Sequence, residues 1–319
     1  VKSFWIAVAA FLSSLAVPAD AAPPHPGLWA LKSGDVTLFQ IELRHDAQGW
    51  SATWIRPDRF SLRGEGFYAL RPPVVRRRSL SARIAGDGLE VSFDDPHPNS
   101  VPDVLVLRAK DAGRSLADWH HVFRDVLLVR EAPGAPLRAS WPAETRYPWP
   151  VDRPSDAEMK RLFEADQAAR LAPGRIDWEI VAKEDLVRRN RTRELLAAGA
   201  LKSGDDFWHA AFIFQHGGEA SDYLLAHTLA VVAVARDRPD ATWIAAATLD
   251  RYLQKIGQKQ IYGTQFRTNG DAPTTQEPYD RALVSDALRE ALGVPNQAGQ
   301  DKQRAQFEAQ FREQRARPK

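Results

Sequence analysis

Between positions 36 and 43 the chain places Val36, Leu38 and Gln40 on one side of an extended segment and Thr37, Phe39, Ile41 and Leu43 on the other. A period of two is the mark of a strand. A short apolar run at 28–31 precedes it, Asp46-Ala47-Gln48-Gly49 reads as a turn, and 50–55 returns as the second arm of a hairpin. Further strands are predicted at 67–70, 80–84, 89–93 and 104–108, with the Asp-Gly of Gly86-Asp87-Gly88 suited to a tight hairpin turn. Short strands divided by Gly, Pro and Asp predict a small antiparallel β barrel or sandwich over 23–136.

The period then changes. Pro133, Pro136, Pro142, Pro148, Pro150 and Pro154 crowd one stretch, and proline at that density opposes helix and sheet alike. Residues 137–154 are therefore predicted as a linker, and Trp141, Tyr147 and Trp149 predict that it packs down rather than swinging free. Three-to-four spacing of apolar residues predicts an all-α domain over 155–295. Ser155-Asp156-Ala157-Glu158 reads as a capping box opening the first helix, and Pro173-Gly174 as its stop. Helices follow at 177–198, at 207–214 after a Ser203 cap, at 222–236 after a Ser221 cap, at 241–256 up to Gly257, and at 281–292. A charged tail helix, with Phe307 and Phe311 as a narrow stripe, occupies 296–319. The expected fold class is α+β in two domains.

Charge and composition narrow the function classes. Lys and Arg total 43 against 41 Asp and Glu, a net charge of +2, so no nucleic-acid partner is expected. The absence of cysteine excludes disulfides, thiolate metal sites and cysteine nucleophiles. Lys2, an apolar run at 4–17 and Ala19-Asp20-Ala21 read as a signal peptide over 1–21, cut after Ala21. The run is shorter than the ~20 residues that span a bilayer. A periplasmic or secreted protein with no membrane span after cleavage is expected. In the β region, Trp29, Trp50, Trp54, Phe60, Phe67 and Tyr68 read as core fillers, with a ligand mouth as the alternative. Arg71, Arg76, Arg77 and Arg78, around Pro72-Pro73, read as a solvated loop, with a grip on an anionic group as the alternative.

Candidate chemistry gathers between 212 and 265. His209, His216 and His227 invite a metal reading, but there is no His-Glu-x-x-His and no carboxylate at ligand spacing, so no metal or cofactor is predicted. His216 ends an apolar run after Gln215. It reads either as a general base, with Asp250 or Asp222 fixing its tautomer, or as a structural group at a helix end. Asp250 lies on an apolar helical stripe with Trp243 and must be paired; Arg251, His216 and Arg170 are the candidate partners. Asp166 and Arg170 stand four apart and pair along a helix, leaving Gln167 unexplained. Gly263 permits a sharp turn, from which Thr264 and Gln265 present a hydroxyl and an amide.

These pieces form an ordered set: Asp166-Gln167 with Arg170, Gln215-His216, Asp250-Arg251, then Gly257, Gln260, Tyr262, Gly263, Thr264 and Gln265. Over 155–295 the chain thereby resembles an uncharacterised bacterial domain family with Asp-Gln-x-x-Arg, Gln-His, Asp-Arg and Gly-x-x-Gln-x-Tyr-Gly-Thr-Gln segments. Gly217-Gly218 departs from the Ala-Asp that follows Gln-His in that family. The resemblance implies a shared site and supplies no reaction. The expected function is binding of a small polar or peptide-like ligand by the helical domain. His216 and Asp250 are its catalytic candidates for a hydrolase or transferase step. Asp166, Gln167, Arg170, Gln215, Arg251, Gln260, Tyr262, Thr264 and Gln265 are its binding candidates. The alternative is a non-enzymatic interaction module for an envelope protein, built on the helical hairpin of 222–236 and 241–256.

Overall fold

The computed structural model describes residues 23–95, 100–138, 140–142, 144–171, 176–268 and 272–316. The expected signal peptide and the helix stop at Pro173-Gly174 lie outside these residues. The chain divides between Asp152 and Arg153 into two compact units.

The first unit is a barrel. Strands β1 (Gly27–Ser33), β2 (Val36–Asp46), β3 (Gly49–Leu62), β4 (Gly66–Ala85), β5 (Gly88–Phe93), β6 (Asp103–Ala109), β7 (Arg114–Trp119) and β8 (Phe123–Glu131) each pair antiparallel with the next. β8 returns to β1, with Ala30 opposite Val129, and closes the sheet. Of the two expected β architectures, this is the closed one, which leaves no open edge between its first and last strands. Both expected tight turns are present, with Asp46 opposite Gly49 and Ala85 opposite Gly88.

Inward residues such as Trp29, Phe39, Trp54, Phe67, Leu107 and Leu128 form one buried core. Their rings meet edge to face, with Trp54 and Trp119 centroids 5.1 Å apart and Phe39 and Phe67 4.6 Å apart. The interior is nearly solid. Between Leu31, Phe39, Trp54, Leu105, Phe123 and Leu128 a void of only about 10 Å³ remains, at the lower edge of what one water needs.

Three expectations for this unit change. Arg71–Arg78 is not a solvated loop but part of β4, with Arg76 opposite Ile55 and Val74 opposite Pro57. Pro72-Pro73 is tolerated because the register shifts there against Pro57 and Arg59, the irregularity at which missing N–H donors cost least. The segment expected as a linker contributes a ninth strand, β9 (Arg146–Pro148), which pairs Tyr147 with Phe67. Trp141, Tyr147 and Trp149 are buried in the barrel core, so that stretch does pack down. Among the aromatics, Trp29, Trp54 and Phe67 fill the core, while Trp50 and Phe60 are only partly covered.

The second unit holds seven helices among the described residues: α1 (Ala157–Leu171), α2 (Trp178–Ala197), α3 (Gly204–Gln215), α4 (Ala220–Ala235), α5 (Ala241–Lys255), α6 (Asp286–Ala291) and α7 (Gln297–Ala316). Met159, Leu195, Ala210, Phe214, Ala226, Leu229, Ala230 and Ile244 form the shared core of α1 to α5. The expected Ser203 cap is in place, with Asp206 completing a capping box, and Asp177 caps α2 by accepting from the Glu179 and Ile180 N–H groups. The Ser155 box is not formed. Asp156 accepts the Met159 N–H at 2.7 Å instead, and Glu158 is drawn away to Arg191, whose Nε lies 2.6 Å off. α4 is capped from Glu219 with Asp222, not from Ser221. α6 starts late because Ser285 takes the cap position, accepting from Leu288 N at 3.3 Å. No helix among the described residues is long and apolar enough to cross a membrane.

Candidate functional site

His216 caps the C-terminus of α3, one residue past Gln215, and its backbone N–H closes the helix on the Ile213 and Phe214 carbonyls. Its ring turns back toward α1. Nδ1 lies 3.0 Å from Asp166 Oδ1, and the side chain keeps 16% of its surface exposed. The carboxylate that meets the ring is therefore Asp166, 50 residues away, rather than Asp250 or Asp222. Asp166 is buried and held on both oxygens. Arg170 donates to Oδ1 at 2.8 Å, and Gln167 donates to Oδ2 at 2.8 Å. The i, i+4 pair expected along α1 is thus formed, and Gln167 finds its use beside it.

The network runs on through α2. Arg170 also donates to Asp185 at 2.7 Å, and Asp185 accepts from Arg188 at 2.8 Å. Arg189 donates to the His216 carbonyl at 2.9 Å. Each charge in the chain has a partner, which is the condition for keeping ion pairs under cover. A carboxylate facing Nδ1 favours the tautomer with the proton on that nitrogen, which leaves the Nε2 lone pair available.

Arg251, on α5, faces the same cluster. It lies beside Tyr223 and close enough to Arg170 for the two cations to repel. Burial is the main cause of a guanidinium pKa below the ordinary arginine range, and Tyr223 opposes the shift. Its Nε is buried with no hydrogen-bond partner. Gln215 is buried next to His216 at the end of α3.

Asp250 builds a second, separate network. Among the described residues it shares no hydrogen bond with His216, Arg170 or Arg251. Its Oδ1 accepts the N–H groups of Ile261 and Tyr262 at 2.8 and 3.0 Å, and its Oδ2 accepts the N–H and hydroxyl of Thr264 at 3.0 and 2.8 Å. One buried carboxylate thus satisfies three backbone donors of a loop that has no ladder of its own. Backbone amides, not a cation, are the pairing that its apolar stripe demanded.

Gln260 reinforces the loop. Its amide donates to the carbonyls of Gln265 and Gln276, and its oxygen accepts Gln265 N at 3.0 Å. Gln265 donates to Ala247 O at 3.2 Å and to Thr264 Oγ1 at 2.9 Å. The Tyr262 carbonyl collects donors from Tyr279 at 3.1 Å and from Gln300 on α7 at 2.8 Å. Gly263 has φ +82°, and a Cβ there would lie 2.2 Å from Gln300 Oε1, so the position needs glycine. Thr264 also lines a cavity of about 140 Å³ with Trp243, Phe266 and Phe307.

The candidates therefore fall into two groups. Asp166, Gln167, Arg170, His216 and Arg251 form an ionic cluster around an imidazole. Asp250, Gln260, Tyr262, Thr264 and Gln265 tie down a loop. Sequence reasoning missed Asp185, Arg188 and Arg189, although their spacing along α2 places Asp185 and Arg188 on one side of the helix. The three histidines part company: His209 stacks on Phe163 with centroids 4.4 Å apart, and His227 Nδ1 meets Ala245 O at 2.9 Å. Among the described residues no three His, Asp or Glu side chains are grouped to hold a metal ion.

No family model, no curated protein and no solved structure matches the chain.

Proposed function

We propose that the helical unit binds a small polar or peptide-like ligand at the His216 cluster and that His216 serves as a general base in a hydrolytic or transfer step. The observation that carries this reading is the contact between His216 Nδ1 and an Asp166 carboxylate itself fixed by Arg170 and Gln167. A base must be oriented before it can act, and a carboxylate behind the ring is the common means. In this reading Nε2 takes the proton of an attacking water or hydroxyl and returns it to the leaving group. Arg251, whose Nε lacks a partner, receives an acidic or carbonyl oxygen of the ligand. Asp250 is a positioning residue, acting through the loop that it holds.

The test is calorimetric titration of the full chain with a panel of dipeptides, beside His216→Ala and Arg251→Gln variants. The reading expects saturable binding to at least one dipeptide, lost in both variants while their melting temperatures stay near the parent value. A large fall in melting temperature in His216→Ala with dipeptide binding unchanged makes the imidazole structural and sinks the reading.

A second reading has one observation of its own. α2 leaves Trp178, Ile180, Leu186 and Val187 exposed, with Val187 at 67%, and exposed apolar side chains on one helix favour a docking module for an envelope protein. Leu186→Lys with Val187→Lys would then abolish retention of a stoichiometric protein partner without changing dipeptide binding.

A further inference from the structure

The barrel carries a feature that the helical unit does not explain. Arg56, on β3, is only 4% exposed. Its guanidinium carbon lies 4.8 Å from the Trp54 ring centroid and 5.0 Å from that of Phe60. Nε is buried without a hydrogen-bond partner. Among the described residues no side chain forms an ion pair or hydrogen bond with Arg56. An arginine taken out of water is normally matched by a carboxylate or several carbonyls, because an unmatched buried charge is costly. Burial has pulled its pKa down to about 10.

Arg56 lines a cavity of about 600 Å³ at one mouth of the barrel, together with Phe60, Leu62, Trp119 and Val122. The barrel interior is filled, so a ligand seats in the mouth rather than inside. Three arginines (Arg56, Arg59, Arg71) and three aspartates (Asp58, Asp95, Asp103) share the lining. Asp58 sits 3.8 Å from Arg59, and Asp103 accepts from Trp119 Nε1 at 3.2 Å. The lining is thus balanced in charge: Asp103, Asp95 and Asp58 lie within electrostatic reach of Arg56, yet none bonds to its guanidinium. A dianion such as a phosphate monoester would meet three carboxylates; a single negative charge would be repelled less. The planar guanidinium fork suits a carboxylate bound through two oxygens, and Phe60, Leu62, Trp119 and Val122 offer an apolar wall beside it.

We infer that the barrel mouth is a binding site for a small amphiphilic carboxylic acid, its carboxylate on Arg56 and its apolar body on Phe60, Leu62, Trp119 and Val122. The site is independent of His216 and stands whether or not the helical unit has an activity.

The test is isothermal titration calorimetry of the full chain with octanoate, 2-naphthoate, octyl phosphate and octylammonium. Saturable binding of either carboxylate, stronger than binding of the other two probes, is the expected result. Octanoate and 2-naphthoate separate a chain-like body from a ring, and a preference for either supports the site. Arg56→Gln should weaken the preferred carboxylate by about tenfold or more, the scale of a lost charge-assisted hydrogen bond. Arg56→Lys keeps the charge without the fork and should weaken it less. Leu62 is 49% exposed, so Leu62→Glu leaves the core intact, places a negative charge at the rim and should weaken carboxylate binding even if Arg56→Gln does not fold. The inference is overturned by octyl phosphate or octylammonium binding as well as the carboxylates, by no saturable carboxylate binding, or by unchanged carboxylate affinity in folded Arg56→Lys and Leu62→Glu.

Discussion

Replacing Asp250 by Asn tests whether one carboxylate holds the 261–264 loop. The side chain is wholly buried and accepts four hydrogen bonds, two on each oxygen. Asparagine keeps the volume but has one acceptor oxygen. Its best orientation saves the bonds from Ile261 and Tyr262 and turns an NH₂ group toward Thr264. The Thr264 hydroxyl can rotate to accept from that group, but the Thr264 N–H cannot. One stranded buried donor costs about 1–3 kcal/mol, and two charge-assisted bonds become neutral ones at a further cost of about 1 kcal/mol. A total of roughly 2–4 kcal/mol corresponds to a melting shift of roughly 4–16 °C for a unit of this size. Thermal melting gives the magnitude, and amide hydrogen exchange gives the place: the Ile261, Tyr262 and Thr264 amides should exchange faster while those of α3 and α4 change only as global stability does. A variant melting within a degree of the parent, with those three amides still protected, would refute the assignment.

Gly263→Ala should destabilise the same loop, because φ +82° strains any side chain and its Cβ would collide with Gln300 and Tyr279; loss of protection at Tyr262 would report it. Ser203→Ala removes the accepting hydroxyl of the α3 capping box and should cost about 1 kcal/mol in chemical denaturation. His209 is half-buried against Phe163 with Nδ1 unpartnered, and burial holds its pKa below the ordinary histidine value. A depressed folded pKa means that this stability is present above about pH 6.5 and is lost as pH falls through the folded value. Melting temperature should therefore fall on acidification, and His209→Phe should flatten that fall.

The legibility of the fold depended on periodicity. β2 was readable because Phe39, Ile41 and Leu43 alternate with smaller or polar residues. β7 was not, because Ser115 and Ala117 stand at its inward positions and give no hydrophobic signal. In β8 the run Val126, Leu127, Leu128, Val129 is apolar on both faces and blurs a period of two. Without those two strands, closure of the barrel was invisible. Within β4, Pro72-Pro73 argues against a strand, and only the register shift on β3 accommodates it.

In the candidate site, individual residues were readable and their partners were not. Asp166 with Arg170 follows from helix geometry alone. The meeting of Asp166 and His216 is a tertiary event between α1 and the end of α3, and no local rule selects Asp166 over Asp222 or Asp250. Asp222 is instead taken up by Arg193, and a Cβ on Gly217 would sit 2.3 Å from its own Cβ. The segment from Gly257 to Gln265 reads as a ligand loop because it is polar; in the fold the side chains of Gln260, Thr264 and Gln265 bond within the loop, to its neighbours and to α5.

The most direct measurement of the central claim is the ¹⁵N NMR of the His216 ring at neutral pH in the parent chain and in Asp166→Asn. The account predicts that the neutral parent ring carries its proton on Nδ1, facing Asp166, with Nε2 unprotonated, and that this preference weakens when the carboxylate is removed. A parent ring protonated on Nε2, or one whose tautomer is indifferent to Asp166, would contradict it.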